Sequence, residues 1–378
     1  MFRPLLGAGA GLLVAAAAFP AGASLAAPPP GPEGSLAVGL PPAPAMVEPT
    51  RADCNGEEVA RTAWKMGTRL RATVCARSRA AAIAAIEAAF GCVDEVEARL
   101  STWRPGSELS RLNTAPPGRW VSVSPATAEL LAEIREWTAA TGGAFDPAVG
   151  AAIDAWDLRG SGRRPADGEI DRARRASGLD AWELDAAGRR VRRGPGVRLD
   201  AGAFGKGAAL REALAVLRGA GVDRALLDFG GQLLAWSRDP ADRWRIAVAD
   251  PERRDVTALT MRVRAGSVAT TAASERFVET PEGPAGHVID PRRALPVPAW
   301  GSVTVVADDP VAADVLSTAL FVMGREEALA WSRRTAGAGV LILEPAADGP
   351  ESHRSAGLDA LASIEARPTR ALRKEHDK

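Results

Sequence analysis

At 378 residues, with 47 Lys and Arg against 47 Asp and Glu, the chain can bury a large core and carries no net field. That balance argues against nucleic acid as a partner. Tyrosine is absent while Trp occurs ten times, so aromatic stacking in any site falls to Trp, Phe or His.

The chain opens with Arg3, an apolar run from Leu5 to Phe19, Pro20, and the small-residue stretches Ala21-Gly22-Ala23 and Ser24-Leu25-Ala26. Residues 1–26 therefore read as a cleavable export signal. The apolar run is shorter than the roughly 18–20 residues that span a bilayer. Cleavage leaves a soluble protein of the bacterial periplasm, and with Cys54 the first cysteine a lipid anchor is not expected. Residues 27–60 are Pro/Ala-rich, a linker without periodicity.

One domain is expected over 61–345. Trp64–Val74 partly alternates and suggests a strand. Ser78 is placed to cap a long helix over Arg79–Leu100. Ser124 and Pro125 start a second helix that stops at Gly142-Gly143. A glycine turn enters a helix over Gly202–Leu217, and the apolar run Ala225–Phe229 reads as a strand ending at Gly230-Gly231. Further strands are expected at Trp244–Ala249, Leu259–Val263, Val303–Ala307 and Val340–Leu343, with a helix over Pro310–Met323. Residues 346–378 read as a polar tail without order. Strands and helices without regular alternation favour α+β, with mixed or antiparallel sheets and packed helices. Cys54, Cys75 and Cys92 lack metal-site spacing; one disulfide with one thiol left over, or buried free thiols, are both open.

Five stretches could carry chemistry. In Asp200-Ala201-Gly202-Ala203-Phe204-Gly205-Lys206-Gly207, glycines and a helix start suit an anion, and Lys206 adds a charge for phosphate; a plain strand-to-helix turn is the simpler reading. In Asp309-Pro310 to Thr318, Asp314 and Thr318 stand four apart on one helix face, hard oxygens that suit Mg²⁺ or merely a polar stripe. His287, in Gly286-His287-Val288-Ile289-Asp290-Pro291-Arg292, is the one imidazole expected inside the fold, because His353 and His376 lie in the tail. Thr141–Pro147 joins a helix stop to Phe145 and Asp146. Ser101–Asn113 is a polar loop whose Trp103 could lie on a flat ring or pin the loop to the core.

Taken in order, these stretches, together with Met66-Gly67-Thr68, Asp228–Gly231 and Thr270–Arg276, resemble the FAD:protein FMN transferase family from about Trp64 to Leu343. The resemblance implies an α+β, ApbE-like fold with a cleft for FAD as substrate. It implies transfer of FMN to a Thr or Ser of an acceptor protein, a membrane or periplasmic electron-transfer subunit, with release of AMP. It places Met66 at the flavin, Trp103 on a ring, and Ala144, Phe145 and Asp146 on the adenine side. Asp200 and Lys206 become ligand contacts, His287 a catalytic group near the phosphates, and Asp314 a residue essential to catalysis. The Ala203 carbonyl, Asp314 and Thr318 become the magnesium ligands. Two other activities suit the same scaffold, a magnesium-dependent FAD pyrophosphatase and a non-catalytic periplasmic FAD-binding protein. The chain departs from the family at Gln232, where Asp is common, at Thr270–Ala273, and at Arg293-Ala294, where Thr-Gly is common. Ala272 is expected to strain a backbone position that favours glycine.

Overall fold

The structure, a computed structural model, describes residues 47–49, 54, 56–272, 277–280 and 283–365. The expected export signal lies outside the described residues. Among the helices described, none is long and apolar enough to cross a membrane.

Eight antiparallel strands make the central sheet. In spatial order they are Glu351–Arg354, Ala338–Glu344, Ser302–Ala307, Gly266–Ala272, Gln232–Ser237, Arg224–Phe229, Thr68–Ala76 and Glu57–Lys65. Alternate side chains leave opposite faces, and each face has its own cover. Leu70, Ala72, Val74, Leu227 and Leu234 pack beneath the helices Arg79–Leu100 and Gly205–Gly219. Val303, Val305, Val340 and Ile342 pack beneath the helix Pro310–Ser332. On the opposite face Leu233, Ala235, Val268, Leu341 and Leu343 meet a second antiparallel sheet of Val47–Pro49, Trp244–Ala249, Thr257–Val263 and Ala362–Glu365. The α+β class is therefore realised as helices, sheet and sheet. A satellite core between Leu109 and Leu199 is built on a three-stranded sheet and the helix Pro125–Ala140.

The helix signals act as expected. Ser78 Oγ accepts from Ala81 N–H at 3.2 Å, and Ala82, Ala85, Ile86, Ala89, Phe90, Val93 and Val96 form the buried stripe of Arg79–Leu100. Ser124 caps Pro125–Ala140 in the same way. Asp309 Oδ1 accepts from Val311 and Ala312 N–H at 2.8 and 3.0 Å, with Pro310 in the first turn. The expected end at Met323 coincides with a break at Gly324, φ 77°, beyond which a second helical stretch runs to Ser332.

Three expectations are corrected. Trp64–Val74 is not one strand: Met66 and Gly67, at φ 46° and 73°, turn the chain between Glu57–Lys65 and Thr68–Ala76. Two central residues at positive φ make the tight hairpin turn whose twist matches the strands, and alternation alone does not reveal it. The folded region starts before residue 61, because Val47–Pro49 pairs with Trp244–Ile246 and Glu57 already pairs with Ala76. The tail is ordered through Glu365: the helix Ala356–Leu361 buries Leu358, and Ala362–Glu365 pairs with Thr260–Val263. It places His353 within the fold too, its Nε2 3.1 Å from Glu344. Of the two readings left open for the cysteines, the structure has the disulfide, Cys54 to Cys75, leaving Cys92 reduced.

Candidate active site

The starts of two helices are tied together, by Arg211 on Asp309 at 2.6 and 2.7 Å and by a buried carboxylate. Asp314, 5% exposed on the helix Pro310–Ser332, accepts from the Gly207 N–H at 2.8 Å in the first turn of Gly205–Gly219. Its other oxygen lies 4.0 Å from Lys206 Nζ. The approach is close because residue 207 has no side chain: a Cβ there would meet the Pro310 carbonyl at 2.5 Å and Val311 Cα at 2.8 Å. Burial raises the Asp314 carboxyl above its ordinary value, against the lowering pull of Lys206 and the Gly207 N–H. A buried carboxylate whose near charge does not offset its desolvation suits a further cation.

Thr318 follows one turn later, half-buried, and its hydroxyl makes no hydrogen bond among the described residues. Ala203 precedes Phe204, the cap of the other helix, in a turn closed by Gly205 N–H on the Ala201 carbonyl at 2.7 Å. Among the described residues no three His, Cys, Asp or Glu side chains gather as a metal site. The donors expected from the sequence, the Asp314 carboxylate, the Thr318 hydroxyl and the Ala203 carbonyl, are hard oxygens of the kind Mg²⁺ takes when phosphate and water complete its shell.

Met66 reaches the same helix start from the hairpin. Its Cε would sit 3.3 Å from a Cβ on Gly205. The neighbouring turn, Gly230-Gly231 at φ 58° and 92°, closes against Thr68, and Asp228 Oδ1 accepts from Gly231 N–H at 3.1 Å. Gln232 begins the next strand fully inside, its Nε2 donating to the Pro310 carbonyl at 2.9 Å. The Gln232 amide therefore holds the first turn of the helix bearing Asp314.

Asp200 is fixed from three sides. Its Oδ1 accepts from Gly202 N–H at 2.8 Å, its own N–H donates to Pro147, and Asn113 holds Leu199 through two hydrogen bonds of 2.7 and 2.8 Å. Its other oxygen pairs with Arg159, whose guanidinium lies 5.3 Å from the Trp103 ring centre. Trp103 is 71% exposed, so it does not pin its loop to the core. Arg159 was not expected from the sequence, and no local pattern marks it.

The structure does not bring every expected residue to this surface. Ala144 and Phe145 are core residues, Phe145 edge-on to Phe204. Asp146 is buried and its carboxylate is taken by backbone donors, Ala148 N–H at 2.8 Å and Gly178 N–H. Burial raises its pKa as well. The Gly142-Gly143 turn just before these residues lies against Arg292. His287 is half-buried and leads into Ile289–Asp290, where Asp290 accepts from Arg292 N–H and Nε, both at 3.0 Å. The strain expected at Ala272 is not there. Ala272 pairs with Ser302 in a regular strand, and Thr271 bonds Ser317 at 2.9 Å beside the Asp314 turn. Of the positions that depart from the family, it is Ala294 that is left-handed, φ 54°, held by Trp156 Nε1 on its carbonyl at 2.9 Å.

The model of the ApbE family matches residues 66–342. An FAD:protein FMN transferase of Treponema pallidum is 30% identical over 309 residues, covering 76% of this chain and 85% of the relative. One from Rhodobacter capsulatus is 33% identical over 243 residues, 63% of this chain; the match spans 46% of that longer relative. The crystal structure of the ApbE protein of Thermotoga maritima aligns with a TM-score of 0.74 at 27% identity, over 81% of this chain and 99% of that one. The matched span contains Met66, Asp200, Lys206, Asp314 and Thr318 and takes in well over half of the sequence: the chain belongs to the ApbE family.

Proposed function

We propose that this protein transfers the FMN half of FAD to a Thr or Ser hydroxyl of an acceptor protein and releases AMP. The observation that carries the reading is the buried Asp314, held between the Gly207 N–H and Lys206 where two helices start. The activity itself is taken from the relatives, which are FAD:protein FMN transferases.

In the reaction the acceptor oxygen forms a bond to the FMN phosphorus as the bond to the AMP oxygen breaks. AMP leaves with that electron pair, and the hydroxyl proton passes to a base. Asp314, Thr318 and the Ala203 carbonyl would hold a magnesium ion, whose positive charge would offset that of the pyrophosphate. Lys206 places a second positive charge beside the phosphates. Trp103 and Met66 bind and orient the rings, with Asp200 and Arg159 fixing the mouth next to Trp103. His287 is the imidazole available to take the proton. The exported setting read from the leader agrees with the Cys54–Cys75 disulfide, a bond that persists in oxidising compartments.

The test is the full chain with FAD, Mg²⁺ and a flavin-free exported electron-transfer subunit of its host. AMP should form together with an acceptor heavier by one FMN less water, fluorescent after denaturing electrophoresis. Replacing the acceptor Thr with Val should abolish labelling. Free FMN produced at full rate with no acceptor labelled would make the protein a pyrophosphatase instead.

A further inference from the structure

Trp64 and Trp103 are the two large apolar side chains left exposed among the described residues. Trp103 belongs to the site above. Trp64, 75% exposed, has no such explanation. It stands on the last strand of the central sheet, two residues before Met66, and pairs directly with Arg69. Thr62 pairs with Arg71 on the next rung, so Trp64, Thr62, Arg69 and Arg71 share one face of the hairpin. Arg61, Ala63 and Lys65 leave by the other face, where Lys65 meets Asp94 at 2.6 Å on the covering helix.

The face that bears Trp64 is covered further in: Leu226 packs against the four-stranded sheet. At the hairpin that cover ends. Arg69 reaches only to 3.9 Å from Asp228, and Arg71, exposed, makes no hydrogen bond or ion pair among the described residues. A bare Trp beside an unpaired Arg is the side-chain pair that dominates binding hot spots. The outer edge of Glu57–Lys65 is unpaired among the described residues, so backbone donors and acceptors lie alongside.

We propose that this face docks the acceptor protein, through a segment rich in Asp and Glu next to its Thr or Ser. The inference rests on the transferase reading, because a hydrolase has no macromolecular second substrate to place. The excess positive charge of the Arg69 and Arg71 rungs selects an acidic partner, and Trp64 supplies the apolar anchor. Two residues of extended chain cover about 7 Å, so a partner seated on Trp64 lies beside the Met66 turn at the end of the hairpin.

The experiment uses the full chain and the double variant Trp64→Ser, Arg71→Ser, both positions being exposed and outside the FAD site. The probe is a fluorescein-labelled synthetic peptide with one Thr flanked by Asp, against the same peptide with Lys in place of Asp. By anisotropy the acidic peptide should bind the wild type at least about tenfold more tightly than the Lys peptide, and the double variant should lose that preference. With the acceptor labelled in the assay above, the variant should lose about tenfold or more in kcat/KM for the acceptor. FAD affinity and AMP release without acceptor should stay unchanged. Equal binding of the two peptides, a preference that survives in the variant, unaltered kcat/KM, or a parallel fall in FAD affinity each overturns the proposal. If no acceptor is labelled by the wild type, the transferase reading fails first, whatever the peptides do.

Discussion

Replacing Asp314 with Asn separates the cost of a buried charge from its use. The amide keeps an oxygen for the Gly207 N–H, 2.8 Å away in the native chain, and removes the charge 4.0 Å from Lys206. At an effective dielectric of about 20, that attraction amounts to roughly 4 kcal/mol. Desolvation nevertheless prevails, because the carboxyl pKa stands above 3.8 in the folded chain. Between 3.8 and the raised value the native state holds more protons than the unfolded state. Without metal, the carboxyl's contribution to stability is therefore full below 3.8 and is lost as pH rises through the folded pKa. At neutral pH and in EDTA, Asp314→Asn should accordingly melt at or above the wild-type temperature and lack this pH dependence. Added Mg²⁺ should reverse the order: a ligand at 100 times its Kd stabilises by about 2.7 kcal/mol, and only the wild type should gain it. AMP release should fall at least about a hundredfold in the variant, roughly 2.7 kcal/mol of barrier. Melting curves across pH with and without Mg²⁺, alongside AMP assays, decide the matter. A variant less stable than wild type in EDTA, or wild-type rates at limiting Mg²⁺, would refute the reasoning.

Gly207→Ala would bring a methyl to 2.5 Å from the Pro310 carbonyl. Forcing the helix starts apart should cost about 1–3 kcal/mol in urea unfolding and reduce Mg²⁺-dependent AMP release as well. Trp103→Ala should weaken FAD binding by about 1–3 kcal/mol, the usual worth of one ring stack, with little change in melting temperature. Cys54→Ser with Cys75→Ser opens a link across 21 residues, for which chain entropy gives about 3 kcal/mol of lost stability, measured by urea unfolding of oxidised samples.

Much of the helical framework was legible because its stop and start signals are local. Ser78, Ser124 and Asp309 are caps whose side chains bond amides two or three residues on, and each marks its helix start. The strand Trp244–Ala249 was legible from its alternation for the same reason. The Met66-Gly67 turn was not, since a left-handed methionine leaves no pattern and its conformation is imposed by pairing on either side. The ordered segment after residue 350 was missed because its polar composition hides Leu358 and Leu361, which find their core only in a sheet built from distant strands. Within the site, Asp314 and Thr318 share a helix face that spacing alone predicts. The contact of Asp314 with Gly207 spans 107 positions and could not be read locally. For Ala144, Phe145 and Asp146 the resemblance implies a stretch lining the adenine side; local pattern did not show that their side chains are buried, with the Asp146 carboxylate held by backbone amides.

The two turns at this end of the sheet, Met66-Gly67 and Gly230-Gly231, each have only two residues, both set at positive φ by the strands they join. A rim of long loops would have to surrender conformational freedom when FAD arrives, at about 1–2 kcal/mol per residue fixed. Here that freedom is already spent when the sheet folds. This part of the rim thus meets its ligand rigid, and substitutions in either turn should reveal themselves in folding stability before they appear in affinity.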